Sequence, residues 1–514
     1  MLGVYFWELG VESWELYSVV MTDLLALVRG CTFDDFLFTP QYSVVERRDP
    51  SAIDLTSRVS RRLTIKRPIV SANMDTVTRS DMAIAVAEEG GIGIIDRGFR
   101  GGEIEPQVRE VEIVKREQHG VIADPYTIGP DATLAEAAGR MHHTGVGTLV
   151  VVDGTRRVVG LLTTRDLRFV GHSGTVASRM TPRERLVTHT GEPDLAIAEE
   201  TMRRQKIKKL PVIDATGTLR GLITAKDLMA QRQLPFATRD GQGRLRVGAA
   251  IGAKGDFLER AAELIRAQVD VIVIDIAHGH SVVMTRAIEA FRKRFGEAEL
   301  IAGNVATAEG ATFLQERGVD GIKVGIGPGG GCTTRLNTNY GVPQVQALVE
   351  CREAVKGRIP LIADGGVRRH GAFVQALTFG GDTVMLGGML AGTAETPGDV
   401  VQKPVVVAES QKTVHVPFKV FRGMASLQAI VDRLDVEDAE AADVEALGAE
   451  GMEVSVPARG SVRPLLRDLV KHLCSAVSYS GAKSLAEMQE TFRKNPERYV
   501  IKLSDSGRRE SFDR

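Results

Sequence analysis

The stretch VDVIVIDIAHGHS, Val269–Ser281, decides how the chain folds. Four consecutive β-branched residues, Val271–Ile274, are apolar without alternation. That pattern belongs to a strand covered on both faces, as in a parallel sheet. The run stops at Asp275 and gives way to the turn His278-Gly279-His280-Ser281. The same grammar recurs in RPIVSANMDTVT (Arg67–Thr78), GGIGIIDRG (Gly90–Gly98), AELIAGNVATAEGA (Ala298–Ala311), VDGIKVGIGPGGGC (Val319–Cys332), RIPLIADGGV (Arg358–Val367) and GDTVMLGGMLAGT (Gly381–Thr393). Helical stretches such as GDFLERAAELIRAQ (Gly255–Gln268) alternate with them. A doubly wound sheet opens with one glycine-rich fingerprint, whereas polar residues or glycines here follow nearly every strand. The expectation is an α/β chain forming a (β/α)8 TIM barrel with its chemistry on the C-terminal face.

The bulk composition is that of an ordinary soluble globular protein. Of 514 residues, 43% are hydrophobic and 25% charged, with 65 basic against 66 acidic side chains. Such balance gives no field for nucleic acid or an anionic membrane. Cys31, Cys332, Cys351 and Cys474 are too few for a disulfide framework and too scattered for a zinc ribbon, so a reducing cytoplasm is expected. The opening segment, residues 1–20, is apolar, but Glu8, Glu12 and Glu15 interrupt it and no basic region precedes it. It reads neither as a signal peptide nor as a membrane span. Both tryptophans, Trp7 and Trp14, lie there, and Met21 is an alternative start.

One internal repeat interrupts the barrel pattern. VVDGTRRVVGLLTTRDL (Val151–Leu167) returns as VIDATGTLRGLITAKDL (Val212–Leu228), each strand–turn–strand followed by Thr-x-x-Asp-Leu. Two copies make a tandem pair and not a solenoid. The pair resembles CBS (cystathionine-β-synthase) modules, here residues 119–178 and 179–235, inserted into a barrel of 21–118 and 236–514. That resemblance implies an adenine or guanine nucleotide whose ribose meets Asp166 and Asp227. The alternative is that these aspartates only support a helix start.

The strand ends supply a constellation. Asn73-Met74-Asp75, Asp275, Asn304, Gly327–Thr334, Asp364-Gly365-Gly366 and Gly387-Gly388 all follow apolar runs. In barrels the last two strand loops commonly grip phosphate through backbone N–H groups. ADGG and LGG offer such backbone, and Asp364 can accept from ribose hydroxyls. Cys332 lies among Gly329-Gly330-Gly331 and Thr333-Thr334-Arg335, surroundings unlike an apolar core. Exposed N–H dipoles there favour the thiolate, the nucleophilic form.

SANMDTVT, EEGGIGIID, DIAHGHS, AGNVATAEGA, GIGPGGGCTTR, ADGGV, VMLGGMLAGT, FRGMAS and SYSGAKSL together resemble the IMP dehydrogenase and GMP reductase family, from about Thr32 onward. The resemblance implies attack of the Cys332 thiolate on C2 of a purine nucleotide, with Thr334 and Glu450 relaying protons; either Arg433 serves as the flap base, or Glu450 with Thr334 activates the water alone. It implies substrate contacts at Met74, Asn304, Gly330, Asp364, Gly366, Gly387, Gly388, Phe421, Gly423, Met424 and Ser426. NAD would meet Asp275, Gly325 and Gly327. A monovalent cation, K+ in the family, would be held by carbonyls of Gly327, Gly329 and Cys332, with Glu510 and Ser511 of a neighbouring subunit in a homotetramer.

Three departures stand out. Gly330 replaces the serine usual before the cysteine, which removes a hydroxyl contact to phosphate. Gly388 stands where dehydrogenases carry serine, and the flap, about 424–460, lacks the Arg-Tyr pair, Leu434 following Arg433; these two favour GMP reduction by NADPH. The long flap, the DIAHGHS and EEGGIGIID text and the SDSGRRESFDR tail favour oxidation of IMP to XMP, which is the expectation. A nucleotide-sensing protein with a degenerate barrel is the reading from another class, and the intact Cys332, Thr334, Asp364 and Glu450 argue against it.

Overall fold

The computed structural model describes residues 24–99, 103–117, 121–122, 124–168, 173–192, 194–225, 228–229, 233–406, 413–433 and 449–512. Asp227 and the segment 1–20 therefore lie outside the described residues. The chain divides into two compact units, one built from 1–115, 236–238 and 245–514, the other from 116–235 and 239–244.

The larger unit is a closed parallel barrel. Strands β1 (Ile69–Ser71), β2 (Ile92–Ile95), β3 (Val247–Ile251), β4 (Val271–Asp275), β5 (Leu300–Val305), β6 (Gly321–Val324), β7 (Leu361–Asp364) and β8 (Thr383–Leu386) pair in chain order. β8 closes on β1 with Val384 opposite Ile69. Helices α1 (Ser80–Glu88), α2 (Glu105–Arg116), α3 (Phe257–Arg266), α4 (Val282–Arg294), α5 (Ala308–Glu316), α6 (Gln344–Val355), α7 (His370–Thr378) and α8 (Arg463–Tyr479) follow the strands in turn. The continuous apolar runs are explained by double coverage: every residue of β1, β2, β3, β6 and β8 is buried. Val70, Ile94, Ala250, Val273, Ile301, Ile362 and Met385 belong to one buried cluster drawn from seven of the strands.

A recurring clamp fixes the lower rim. Asp270, Asp320 and Asp382 directly precede β4, β6 and β8. Each carboxylate accepts the first N–H of the strand before: Val247 at 2.8 Å, Leu300 at 3.0 Å and Leu361 at 2.8 Å. Each also takes a cation from an outer helix, Lys115 at 2.5 Å, Arg292 at 2.6 Å and Arg352 respectively. The device repeats every second strand, binding strand pairs and a covering helix with one carboxylate.

The smaller unit holds two four-stranded sheets, each with one long helix, Leu134–Thr144 and Leu195–Gln205. Val121–Ile122 pairs with Leu222–Ile223 and joins the second sheet, while Thr181–Pro182 pairs with Leu161 and Gly160 in the first. Each sheet thus borrows a strand from the sequence stretch of the other module. Val150, Val158 and Leu161 pack with Ile213, Leu219 and Leu222 to bury the faces between them. Among the described residues no helix is long and apolar enough to cross a membrane.

Asp382→Ala leaves Arg352, whose side chain is 8% exposed, without its carboxylate, and leaves the Leu361 N–H unpaired. It is expected to cost about 3–5 kcal/mol, read from urea denaturation, whereas Asp49→Ala on an exposed loop stays within about 0.5 kcal/mol.

Candidate active site

The C-terminal ends of the barrel strands open into a cavity of about 910 Å³. At its floor Lys323 of β6 is fully buried, with Nζ 2.5 Å from Asp275 Oδ2 and 3.1 Å from Asp364 Oδ2. Asn73 donates to Asp275 Oδ2 at 2.6 Å and accepts from Lys323 at 3.3 Å. Asn304 donates to Asp364 Oδ2 and to the Gly325 carbonyl, both at 2.8 Å. Burial alone would discharge Lys323, but the two carboxylates outweigh it and raise its pKa above the ordinary lysine value. Burial likewise pushes Asp275 up, and Lys323 with Asn73 more than reverses this, leaving it below the usual carboxylate range.

Above that floor lies Cys332. Its Sγ is 3.2 Å from Thr334 Oγ1, which donates to Glu450 Oε2 at 2.6 Å. The three groups form a continuous relay on the cavity wall. Backbone bonds bring the relay together: Thr333 N donates to the Glu450 carbonyl at 2.8 Å, and Met452 N to the Gly331 carbonyl at 3.0 Å. The Cys332 loop, the Gly423 turn and the Gly451 segment stack as three backbones in contact. A Cβ on Gly331 would stand 2.8 Å from Gly423 N, and one on Gly451 2.6 Å from Ser426 N. Side chains cannot enter that stack. Gly330 differs, because a Cβ there would meet nothing within 4 Å.

The flap is tied to the barrel by Arg422. It donates to Asp75 Oδ2 at 2.6 and 3.0 Å and to Asp432 Oδ2 at 2.8 Å. Next along, Arg433 lies on the cavity wall and donates to the Met424 carbonyl at 2.8 Å. Its burial, and then the positive charge of Arg97, lower its pKa to about 10.

Most of the expected site residues converge. Met74, Asp275, Asn304, Gly325, Gly327, Gly329, Gly330, Cys332, Thr334, Asp364, Gly366, Gly387, Gly388, Phe421, Gly423, Met424, Arg433 and Glu450 all line this one cavity. Ser426 does not; it is buried as the cap of Leu427–Val431, its Oγ accepting from Ala429 N at 3.4 Å. Glu510 and Ser511 sit on the helix Asp505–Phe512, away from the cavity lining. Asp166 lies in the smaller unit, its Oδ2 accepting from Thr163 N at 2.8 Å and Thr163 Oγ1 at 2.7 Å. His278 and His280, prominent in the sequence, are exposed and contribute nothing to the lining, His280 packing on Phe313 instead. Lys323, Arg97 and Arg368 line the cavity without having been singled out from the sequence. Lys323 lay hidden in the strand GIKV, where a lone lysine reads as solvent-facing.

Fold and site define an α/β-barrel enzyme that presents a cysteine thiol, a hydroxyl and a carboxylate in series at the mouth of the barrel. The chain belongs to the IMP dehydrogenase / GMP reductase family: the model of that domain matches residues 30–513. It is 42% identical over 486 residues to the inosine-5'-monophosphate dehydrogenase of Aquifex aeolicus, covering 94% of each chain. It is also 42% identical over 499 residues to a GMP reductase of Leishmania major, covering 95% of this chain and 97% of that one. Among solved structures, a GMP reductase from Trypanosoma brucei in complex with guanosine 5'-monophosphate superposes with a TM-score of 0.82 at 39% identity, over 94% of this chain and 97% of that one.

Two outcomes follow from the glycine geometry and the charged floor. Gly330→Ser, with open space around it, is expected to fold normally and lower the nucleotide KM by roughly fivefold, one neutral hydrogen bond. Gly331→Ser, forced against Gly423, is expected to lose activity, as steady-state kinetics beside a thermal melt will read. Lys323→Met strands two carboxylates and is expected to destabilise by about 3–5 kcal/mol, part of which Asp275→Asn restores in the double variant.

Proposed function

We propose that the protein oxidises inosine 5'-monophosphate to xanthosine 5'-monophosphate, a step towards guanine nucleotides. The observation that carries this is the Cys332–Thr334–Glu450 relay, at 3.2 and 2.6 Å, on the wall of the nucleotide-sized cavity. Cys332 Sγ bonds to C2 of the purine, and the hydrogen on C2 departs as hydride. NAD, when bound, supplies the acceptor for that hydride. Water then attacks C2, the C–S bond breaks, and XMP leaves with the thiol regenerated and a proton released. Thr334 and Glu450 are placed to carry protons between the sulfur, the attacking water and solvent. Arg433, on the wall with a lowered pKa and bonded to the Met424 carbonyl, is the group to draw the proton from that water, and Arg422 pairs with its chain neighbour Asp432.

The remaining residues bind and orient. Asp364 takes the ribose hydroxyls with its unengaged oxygen, and the backbones of Gly366, Gly387 and Gly388 receive the phosphate. Asp275 faces the nicotinamide riboside, with Gly325 and Gly327 beneath it. The carbonyls of Gly327, Gly329 and Cys332 are hard oxygen donors suited to a monovalent cation such as K+. Glu510 and Ser511, outside the cavity of their own chain, would complete that site from a second copy in a homotetramer. In the smaller unit, Asp166 and Asp227 are the candidate ribose contacts for a regulatory adenine or guanine nucleotide.

A second reading, reduction of GMP to IMP by NADPH, is favoured by Leu434 after Arg433 and by the glycine at 388. Two assays separate them. IMP with NAD+ is expected to raise the reduced-nicotinamide absorbance, and GMP with NADPH to leave it unchanged; the opposite pair of results overturns the dehydrogenase reading. Cys332→Ala is expected to abolish turnover while still binding nucleotide. Arg433→Ala should slow steady-state turnover by about a hundredfold or more while a first-turnover burst of NADH survives, since only the water step needs the base.

A further inference from the structure

Outside the relay, one further cluster of ligating side chains stands at the edge of the cavity. His370 is the first residue of α7, and Asp468 and His472 are four apart on α8, so they share one helix face. His370 Nε2 is 3.1 Å from Asp468 Oδ2, and His472 Nδ1 is 3.6 Å from the same oxygen. The three side chains each offer a ligand atom within 4.8 Å of the others. We propose that His370, Asp468 and His472 form a binding site for a borderline transition-metal ion of the Zn2+ type, bridging α7 and α8.

The geometry supports an ion more than a simple charge pair. A tetrahedral ion with bonds of about 2.0–2.2 Å spaces its ligand atoms roughly 3.3–3.6 Å apart, and the 3.1 Å between His370 Nε2 and Asp468 Oδ2 lies near that value. Nε2 of His370 is buried and makes no hydrogen bond, although Asp468 is in reach. Apart from the Asp468 carboxylate that it faces, that nitrogen has no polar partner among the described residues. The two imidazole rings lie 4.6 Å apart, a spacing that two protonated rings would resist and a shared cation would favour. Imidazole with carboxylate is a donor set for Zn2+, Co2+ or Ni2+ and not for Mg2+. Asp468 and His472 are about half exposed, leaving a path for the ion and room for water as the fourth ligand. His472 Nδ1 also lies 2.8 Å from the Asp468 carbonyl. With Nε2 as the ligand, that bond remains as the outer contact that fixes the ring.

The test uses metal-free full-length protein titrated with Co2+, followed by its visible absorption, and with Zn2+ in competition. One equivalent per chain is expected in the wild type and in Cys332→Ala, which removes the accessible thiol. His472→Ala, away from the cavity lining, should weaken binding by more than the roughly 10–100-fold that loss of an outer partner costs. Asp468→Asn, of the same shape, should do likewise. Metal-free melting curves coincident with wild type establish that the variants are folded. Unchanged affinity in both variants, loss of the equivalent in Cys332→Ala, or no uptake by the wild type would each overturn the site.

Discussion

The ammonium of Lys323 is the constraint on which the mouth of the barrel depends. An unpaired cation there would cost several kcal/mol, so the fold must bring carboxylates to it. It takes them from opposite sides, Asp275 at the end of β4 and Asp364 at the end of β7, with Asn73 from the loop after β1. Three strand ends are thereby drawn to one point. Both carboxylates meet Lys323 through Oδ2, so Oδ1 of each is left for a ligand. A charge buried for structural reasons thus sets the orientation of the two groups best suited to ribose hydroxyls. The raised pKa of Lys323 and the lowered pKa of Asp275 describe one fact from two ends: each charge favours the ionised form of the other.

Cys332 is positioned differently, by backbone and not by charge. Three chain segments cross at Gly331, Gly423 and Gly451, and their contacts are too close for any side chain. The crossing brings the flap-borne Glu450 onto Thr334, which then meets the sulfur. Flap and nucleophile are therefore one unit: whatever moves the segment 449–452 moves the carboxylate of the relay. Arg422 fastens the other side of the flap to Asp75, so the moving part is bounded by a glycine crossing and an ion pair in which two guanidinium N–H groups share one carboxylate oxygen.

The barrel was legible because its strands are doubly buried, which makes apolar runs continuous, and because polar residues cluster at one end of them. The aspartate clamps were also written in the text, as the Asp before VIVID, GIKV and TVML, but a single carboxylate before a strand has no meaning until its helix partner is in place. Lys323 misled in the opposite sense, since a lysine inside a strand suggests solvent until two carboxylates are seen to face it. His278 and His280 stand out in the sequence and are not in the cavity, whereas the unremarked His370 meets Asp468 and His472 on a helix nearly a hundred residues away. Glu450 has no local signal at all; only resemblance to relatives drew attention to it.

The two glycines that replace serine sharpen what the site asks of its substrate. Neither Gly330 nor Gly388 is imposed by packing, for a Cβ has open space at the first and ordinary contact with Phe421 at the second. Their absent hydroxyls are thus a property of the site and not a requirement of the fold. Under the proposed function, binding of the phosphate would lean on backbone N–H groups, which do not rotate away and which lose less entropy on binding than a serine rotor. Such a grip is rigid in position and modest in strength. More of the discrimination between nucleotides would then fall on the base and ribose, on the side of the cavity where Asp364 and Asn304 are held by Lys323 and the Gly325 carbonyl, and Thr334 and Glu450 hold the Cys332 relay.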